Sequence, residues 1–453
     1  MAITIISLTI FVATFLFILT ERIHRTVIAL AGAVAMMVAG IAFNFYEPHD
    51  AIAAIDFNTI GLLFGMMVIV VMLEKTGFFQ YLGILTAKKT KGNPWLLLIA
   101  FGALTSVLSM ILDNVTTIIL IAPVTIIVAR MLEINPAPLL LAEAMLSNVG
   151  GTGTLIGDPP NIMIGSAAGF SFNTFLIHSL PVALVAWIVT IILFRFFYKK
   201  SLSHVPKAVE KLTEMNEREA IEDPRTLKKI LAVLFFVVIL FFLHGALHLE
   251  PSIVALIGAA LALLLIHHRE DPQPIFERTE LSVLLFFTSL FILVGGLEHA
   301  GILNLVSTFL LAGAAENLLL TAIIILWASA FLSAIVDNIP LTVAMIPVIA
   351  HLSTTGVPVD LLWWALVFGV GFGGNASPIG SSAGVIVMSK SEQTDNPITF
   401  LGWLKTGIPA TVVALIVGTG ALVIFDHFEI THTNTDIQTM KVEEAHIPPS
   451  SLN

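Results

Sequence analysis

One arrangement of residues occurs twice in this chain, and it narrows the folds open to it. Asp113-Asn114 lies inside the apolar run SVLSMILDNVTTIILIAPV, and Asp337-Asn338 lies inside SAFLSAIVDNIPLTVAMIPV. The two pairs are 224 positions apart, as are Glu74 and Glu298, Gly77 and Gly301, and Pro123 and Pro347. A glycine-rich stretch follows each pair: GGTGTLIGDPPN from Gly150 and GGNASPIGSSAG from Gly373. A carboxylate inside a membrane-length apolar segment is costly, so a matched pair points to function. Repeated halves with interrupted apolar segments are the sequence sign of a secondary transporter.

Composition supports a membrane setting. Of 453 residues 57% are apolar and 11% charged, where a soluble domain carries about a quarter charged. Apolar runs long enough to cross a bilayer recur. They place spans near 2–20, 26–43, 58–74, 94–112 with 115–131, 138–168 (interrupted), 178–198, 227–247, 252–268, 281–297, 318–335 with 339–352, 360–389 (interrupted) and 404–425. The segments flanking each Asp-Asn pair read as re-entrant hairpins with the pair at the tip. The expected fold is an all-α polytopic membrane protein of about 10–12 transmembrane segments, with a re-entrant hairpin and a broken helix in each of two inverted repeats. The first run lacks a basic start and a cleavage site, so it reads as a retained helix and not a signal peptide. With no cysteine, thiolate ligands and disulfides are excluded.

The cations set the topology. With the N-terminus outside, 20 of the 21 Lys and Arg fall on one face, and only Lys441 falls on the other. A bias of this kind marks the cytoplasmic side. The chain then divides into a first inverted repeat (1–198), a cytoplasmic connector (199–226), a second repeat (227–426) and a polar, disordered extracytoplasmic tail (427–453). This orientation puts both termini outside a prokaryotic cytoplasmic membrane, and the hairpins open from opposite sides with tips that meet near the midplane.

The hairpin tips and the glycine-rich breaks supply the chemistry. Broken helices expose free carbonyls at one half-helix end and free amides at the other. Glycines permit the break, and Pro159, Pro160 and Pro378 enforce it. The ion- or substrate-binding candidates are Asp113, Asn114, Thr116, Asn148, Thr152, Thr154, Asp158, Asn161, Asp337, Asn338, Asn375, Ser377 and Ser381. Neutral oxygens and carboxylates of this sort suit a hard cation. Na⁺ is the ion expected, at Asp113, Asn114, Asp337 and Asn338, and no other cofactor is called for. Both aspartates would also cap the helices that follow them. Asp158, whose counterpart in the second break is Ser381, reads equally as a proton carrier or as a cap. Glu143, mid-span in LLLAEAMLSNVG, is the proton-relay candidate, against a plain interhelical hydrogen bond.

Other features carry less. Glu74 and Glu298 sit at span ends and read as solvated caps. His244 and His248 have the spacing of a helical metal pair but no acidic third ligand, and read as a water-facing edge. His267-His268 beside Arg269 reads as an interfacial anchor. GGTGTLIG lacks the Lys-Ser/Thr of a phosphate loop. With no nucleophile–base set, an enzyme is not expected, and no nucleic-acid partner is either.

The stretches LDNVTT, GGTGTLIGDPPN, VDNIP and GGNASPIGSSAGV resemble the ion transporter superfamily, in the branch of arsenite permeases, NhaD-type sodium/proton antiporters and P protein, with its citrate transporter-like domain. The resemblance runs from about span two to the last span. It implies a scaffold part and a transport part, elevator-like alternating access and a homodimer, with an ATPase subunit only in the arsenite type. In dicarboxylate relatives the tips read Ser-Asn-Thr and bind Na⁺ and substrate carboxylates. Here they read Asp113-Asn114-Val115 and Asp337-Asn338-Ile339, and fixed anions repel a carboxylate substrate at low dielectric. The expected function is therefore H⁺- or Na⁺-coupled transport of an inorganic ion, as sodium/proton exchange or arsenite/antimonite efflux. The alternatives are a Na⁺-coupled dicarboxylate or citrate-type transporter and a P-protein-like anion conductance.

Overall fold

A computed structural model describes residues 2–20, 22–202, 212, 214–266, 271–302, 311, 313 and 316–429. Most of the tail, connector residues 203–211, His267, His268 and Arg269 lie outside the described residues. The described chain is helical, with no strand among the described residues.

The first half comprises α1 (Ala2–Leu19), α2 (Arg25–Ala42), α3 (Pro48–Ala53), α4 (Phe57–Glu74), α5 (Phe78–Lys89), α6 (Pro94–Ser109), α7 (Asn114–Met131), α8 (Ala137–Thr152), α9 (Pro159–Ala168) and α10 (Phe172–Tyr198). A 3₁₀ turn at Glu217–Ala220 follows. The second half comprises α11 (Pro224–Leu243), α12 (Pro251–Ile266), α13 (Gln273–Phe276), α14 (Leu281–His299), α15 (Leu318–Ser333), α16 (Asn338–Thr354), α17 (Asp360–Gly373), α18 (Ser382–Ser391) and α19 (Phe400–His427). Seven described helices are long and apolar enough to cross a membrane: α2, α4, α7, α10, α11, α14 and α19. The shorter apolar helices include α6, α15, α16 and α17. Those four fall where the sequence indicates hairpin arms and half-helices. Large apolar side chains such as Phe196, Leu264 and Phe331 face outward, as a lipid-facing surface requires.

Local chemistry repeats with the fold. Asn93 and Asn317 each N-cap the first hairpin arm, accepting from backbone N–H groups two or three residues on. Gly77 and Gly301 both take a left-handed backbone, φ 76° and 75°, which only glycine adopts without strain. Gly150 on α8 and Gly373 on α17 let the preceding arm approach. A Cβ at Gly150 would stand 2.6 Å from Ser106 Cα, and one at Gly373 would stand 2.5 Å from Ala330 Cα. Tight small-residue packing therefore accounts for part of each glycine-rich stretch.

The packing is reciprocal. Helix α2 packs on α14 and its counterpart α12 packs on α4. Similarly α9 packs on α16, and α18 on α7. Contacts exchanged between matching elements are the mark of a two-fold relationship. The two repeats are thus joined about a pseudo-two-fold axis, each with a hairpin (α6–α7 or α15–α16) and a broken helix (α8–α9 or α17–α18). The helices also sort into two groups. One is α1, α2, α4, α11, α12 and α14, and the other holds the hairpins, the broken helices, α10 and α19.

Several cations at helix ends make local contacts. Lys88 reaches Glu217 at 2.7 Å, Arg195 lies 4.8 Å over the Trp95 ring, Arg130 bonds the Gln393 carbonyl and Lys229 the Leu265 carbonyl. At the C-terminal end of α11, His244 Nε2 accepts from the Phe172 N–H at 2.9 Å, and its Nδ1 meets the Leu249 carbonyl. His244 is buried, which corrects its reading as a water-facing edge: both ring nitrogens are used in holding the α11–α12 turn to α10. No metal-holding group occurs among the described residues.

Candidate functional site

Each tip forms where a hairpin reverses and a new helix starts. Asp113 is the N-cap of α7. Its Oδ1 accepts from the Thr116 N–H at 2.7 Å, and its Oδ2 from the Thr116 hydroxyl at 2.6 Å. Asp337 holds the matching place on α16, but its side chain makes no cap bond. The residue three further on is Pro340, which has no N–H to offer. The expected cap is therefore absent, and the carboxylate turns elsewhere. Its Oδ2 accepts from Arg25 at 2.9 Å and from the Ser382 hydroxyl at 3.0 Å, while its Oδ1 is buried without a partner.

The amides knit the repeats together. Asn114 Nδ2 donates to Asn148 Oδ1 at 3.0 Å. Asn148 Nδ2 in turn donates to Asn375 Oδ1 and Ser381 Oγ, both at 2.8 Å. Asn375 Nδ2 donates to the Met145 carbonyl at 3.1 Å. The chain of bonds crosses from the first hairpin through the first broken helix to the second break. Buried amides left unpaired cost about 1–3 kcal/mol each, so the network fixes how the halves meet.

Asp158 occupies the N-cap position of α9 and makes no side-chain cap bond. It is buried and faces the other repeat, where Asn338 Nδ2 donates to it at 3.2 Å. Asn338 directly follows Asp337, so this bond brings Asp158 to the second tip. Ser381, its counterpart, caps α18 by accepting from the Gly384 N–H at 3.2 Å.

The remaining candidates brace the breaks. The Thr154 hydroxyl donates to the Met110 carbonyl at 2.6 Å, and Ser377 to the Ala334 carbonyl at 2.5 Å. These are matching bonds from each break to the end of the hairpin's first arm. Asn161 Nδ2 donates to the Gly151 and Thr154 carbonyls at 2.9 and 2.8 Å, and its Oδ1 is buried without a partner. Thr152 donates to the Asn148 carbonyl at 2.8 Å within its own helix. Glu143 stands apart from this cluster. Its Oε1 accepts from Thr125 on α7, and its Oε2 is buried and unpartnered.

A cavity of 420 Å³ lies beside the tips. Its wall includes Val115 of one tip, Asp337 and Pro340 of the other, and Ser382, together with Thr20 and Arg25 where α1 gives way to α2. Arg25 is the residue that sequence reasoning counted only as a surface cation. Two smaller cavities, 210 and 330 Å³, are images of each other under the repeat. One holds Asp56 and Glu298 beside Val343 of α16. The other holds Glu280 and Glu74 beside Ile119 of α7. Glu74 and Glu298 are thus cavity-lining, and Asp56 and Glu280, 224 positions apart, join them.

Comparison with known proteins agrees with this architecture. Residues 15–369 match the citrate transporter family model. The chain is 38% identical over 420 residues to a 46 kDa membrane protein of Mycobacterium leprae (strain TN), covering 91% of this chain and 96% of that one. It is 31% identical over 494 residues to P protein of Homo sapiens, spanning 59% of that longer protein. The crystal structure of the Alcanivorax borkumensis YdaH transporter shares the fold, with a TM-score of 0.58 over 86% of this chain and 90% of that one at 12% identity.

Proposed function

The chain belongs to the citrate transporter family of the ion transporter superfamily and is a membrane transporter; we propose that it is a secondary active transporter exchanging an inorganic cation for protons across a prokaryotic cytoplasmic membrane. The observation that carries this reading is the charge balance at the tips. Asp158 bonds Asn338 beside Asp337, Asp113 stands beside Asn114 at the other end of the amide chain, and the one guanidinium paired with any of the three, among the described residues, is that of Arg25. Like charges gathered in a site of reduced dielectric repel one another. A bound Na⁺, Li⁺ or proton relieves that repulsion, and a carboxylate substrate adds to it. Asn114, Asn338 and the carbonyls freed by the breaks supply the neutral oxygens that a hard cation takes as ligands.

Alternating access would come from the group of hairpins and broken helices sliding against the group of α1, α2, α4, α11, α12 and α14.

A second reading, uptake of an organic anion, has one observation in its favour: Arg25 lines the cavity. Proteoliposomes loaded with a pH-sensitive dye separate the two readings. Proton movement on adding Na⁺ or Li⁺ is expected. Movement with succinate, and none with either alkali ion, overturns the cation reading. A response to arsenite alone moves the assignment to efflux of the neutral hydroxide.

A further inference from the structure

The two tips are equivalent by repeat yet differ in charge. Asp337 has a guanidinium at 2.9 Å. Asp113 has, among the described residues, no cationic side chain within ion-pair distance. The guanidinium comes from outside the helices that carry the tips. Arg25 opens α2, which packs along α14 and is pinned to it by the Thr26 hydroxyl on the Ser282 carbonyl at 2.9 Å. The Arg25 guanidinium also lies 5.3 Å from the Phe286 ring of α14. Its polar partners, Asp337 and Ser382, belong to the second hairpin and the second broken helix. Arg25 bonds Ser382 Oγ at 2.9 Å, and Ser382 donates to Asp337 at 3.0 Å, closing a triangle. The other oxygen of Asp337 is buried with no partner.

We infer that Arg25 is a tethered counter-cation that occupies the second tip and competes there with a free alkali cation. The inference rests on reading the tips as cation-binding. It makes the two pseudo-equivalent positions unequal. The carried cation is confined to Asp113 and Asp158 while the ion pair stands. Because α2 and α16 belong to different packing groups, sliding of one group against the other pulls Asp337 away from Arg25. The second tip then accepts a cation, and on return the guanidinium displaces it. Arg25 thereby favours release on the face where it sits.

The test uses the purified full-length protein in detergent. Thermal stability is titrated with NaCl or LiCl against N-methyl-D-glucamine chloride at constant ionic strength. Arg25→Gln is expected to lower the half-saturating Na⁺ or Li⁺ concentration at least tenfold. Asp337→Asn in the same background is expected to reverse that gain, and Arg25→Lys to stay within threefold of the parent. Arg25→Met, which keeps the apolar stem over Phe286, replaces the glutamine variant if that variant is not recovered. A half-saturation unchanged within twofold on removing the charge overturns the inference. If the parent responds to alkali cations and the variant responds identically, the tip reading stands and the role of Arg25 falls. If only the variant responds, the competition is upheld and the parent's cation reading falls. If neither responds, both fall.

Discussion

Asp113 and Asp337 occupy equivalent N-cap positions, yet only Asp113 caps its helix. The cause is local. Thr116 donates both its N–H and its hydroxyl to Asp113, whereas Pro340, at the same offset from Asp337, can donate neither. Proline is tolerated in the first helical turn because those N–H groups have no intrahelical partner. The consequence is a carboxylate released from capping and free to pair with Arg25.

Pro340→Thr should return a cap donor to the second tip. Side-chain capping contributes about 1 kcal/mol, and the new bond would compete with the guanidinium. The expected outcome is a thermal-stability cost of Arg25→Gln smaller by about 1 kcal/mol in the Pro340→Thr background than in the parent. Equal costs in both backgrounds would show that the missing donor does not steer Asp337.

Asp113→Asn and Asp337→Asn should each abolish cation-driven proton movement in proteoliposomes while leaving membrane insertion intact. Asparagine keeps the shape and most hydrogen bonds but removes the charge that holds a cation. Normal exchange by the double variant would remove both residues from the transport chemistry.

Asn148 is the junction of the buried network, and Asn148→Ala removes at once the partner of Asn114 Nδ2, the donor to Asn375 Oδ1 and one of the two donors to Ser381 Oγ. Some of those groups find other partners, so the expected loss is about 2–4 kcal/mol and not the full sum of three desolvation penalties. Unfolding in detergent would measure it, with Asn148→Gln intermediate. A loss below about 0.5 kcal/mol would mean that water or a repacked neighbour replaces the amide.

The duplicated design was readable because its period survives in identities: the Asp-Asn pairs, the matched prolines, and the capping residues Asn93 and Asn317 all follow one spacing. Long-range partnership was not readable. Arg25 and Asp337 are separated by 312 positions, and a cation at a span end looks the same in sequence whether it faces water or a half-buried carboxylate. Asp56 and Glu280 escaped notice because they precede their helices and look like loop residues. His244 was misjudged because spacing along a helix reveals a face but not which element covers it. The capping roles of the aspartates are half legible, since Asp113 obeys the rule and Pro340, three residues after Asp337, spoils it there.

Gly150→Ala and Gly373→Ala should destabilise alike. Each new methyl group would meet the Cα of a neighbouring helix at 2.6 or 2.5 Å, and overpacking of this kind costs about 1–3 kcal/mol. Gly420 on α19 has nothing within 4 Å, so Gly420→Ala should be neutral or slightly stabilising. Equal behaviour of all three in thermal unfolding would mean that the repeats do not depend on the close approach.

Glu143 is the buried carboxyl that the tips leave out of their cluster. It sits on α8, where the Thr125 hydroxyl of α7 donates to one oxygen and the other has no partner. A structural hydrogen bond needs only the acceptor, which glutamine retains. Proton passage needs a group that ionises, which glutamine lacks. Glu143→Gln should therefore leave thermal stability within about 1 kcal/mol of the parent, because the Thr125 bond survives. If Glu143 relays protons, the same variant displaces the pH optimum of cation-driven proton movement and lowers the maximal rate. Thr125→Val, which removes the donor and keeps the carboxyl, should cost stability instead. An unchanged pH profile in Glu143→Gln would assign the carboxyl to joining α7 and α8 and nothing more.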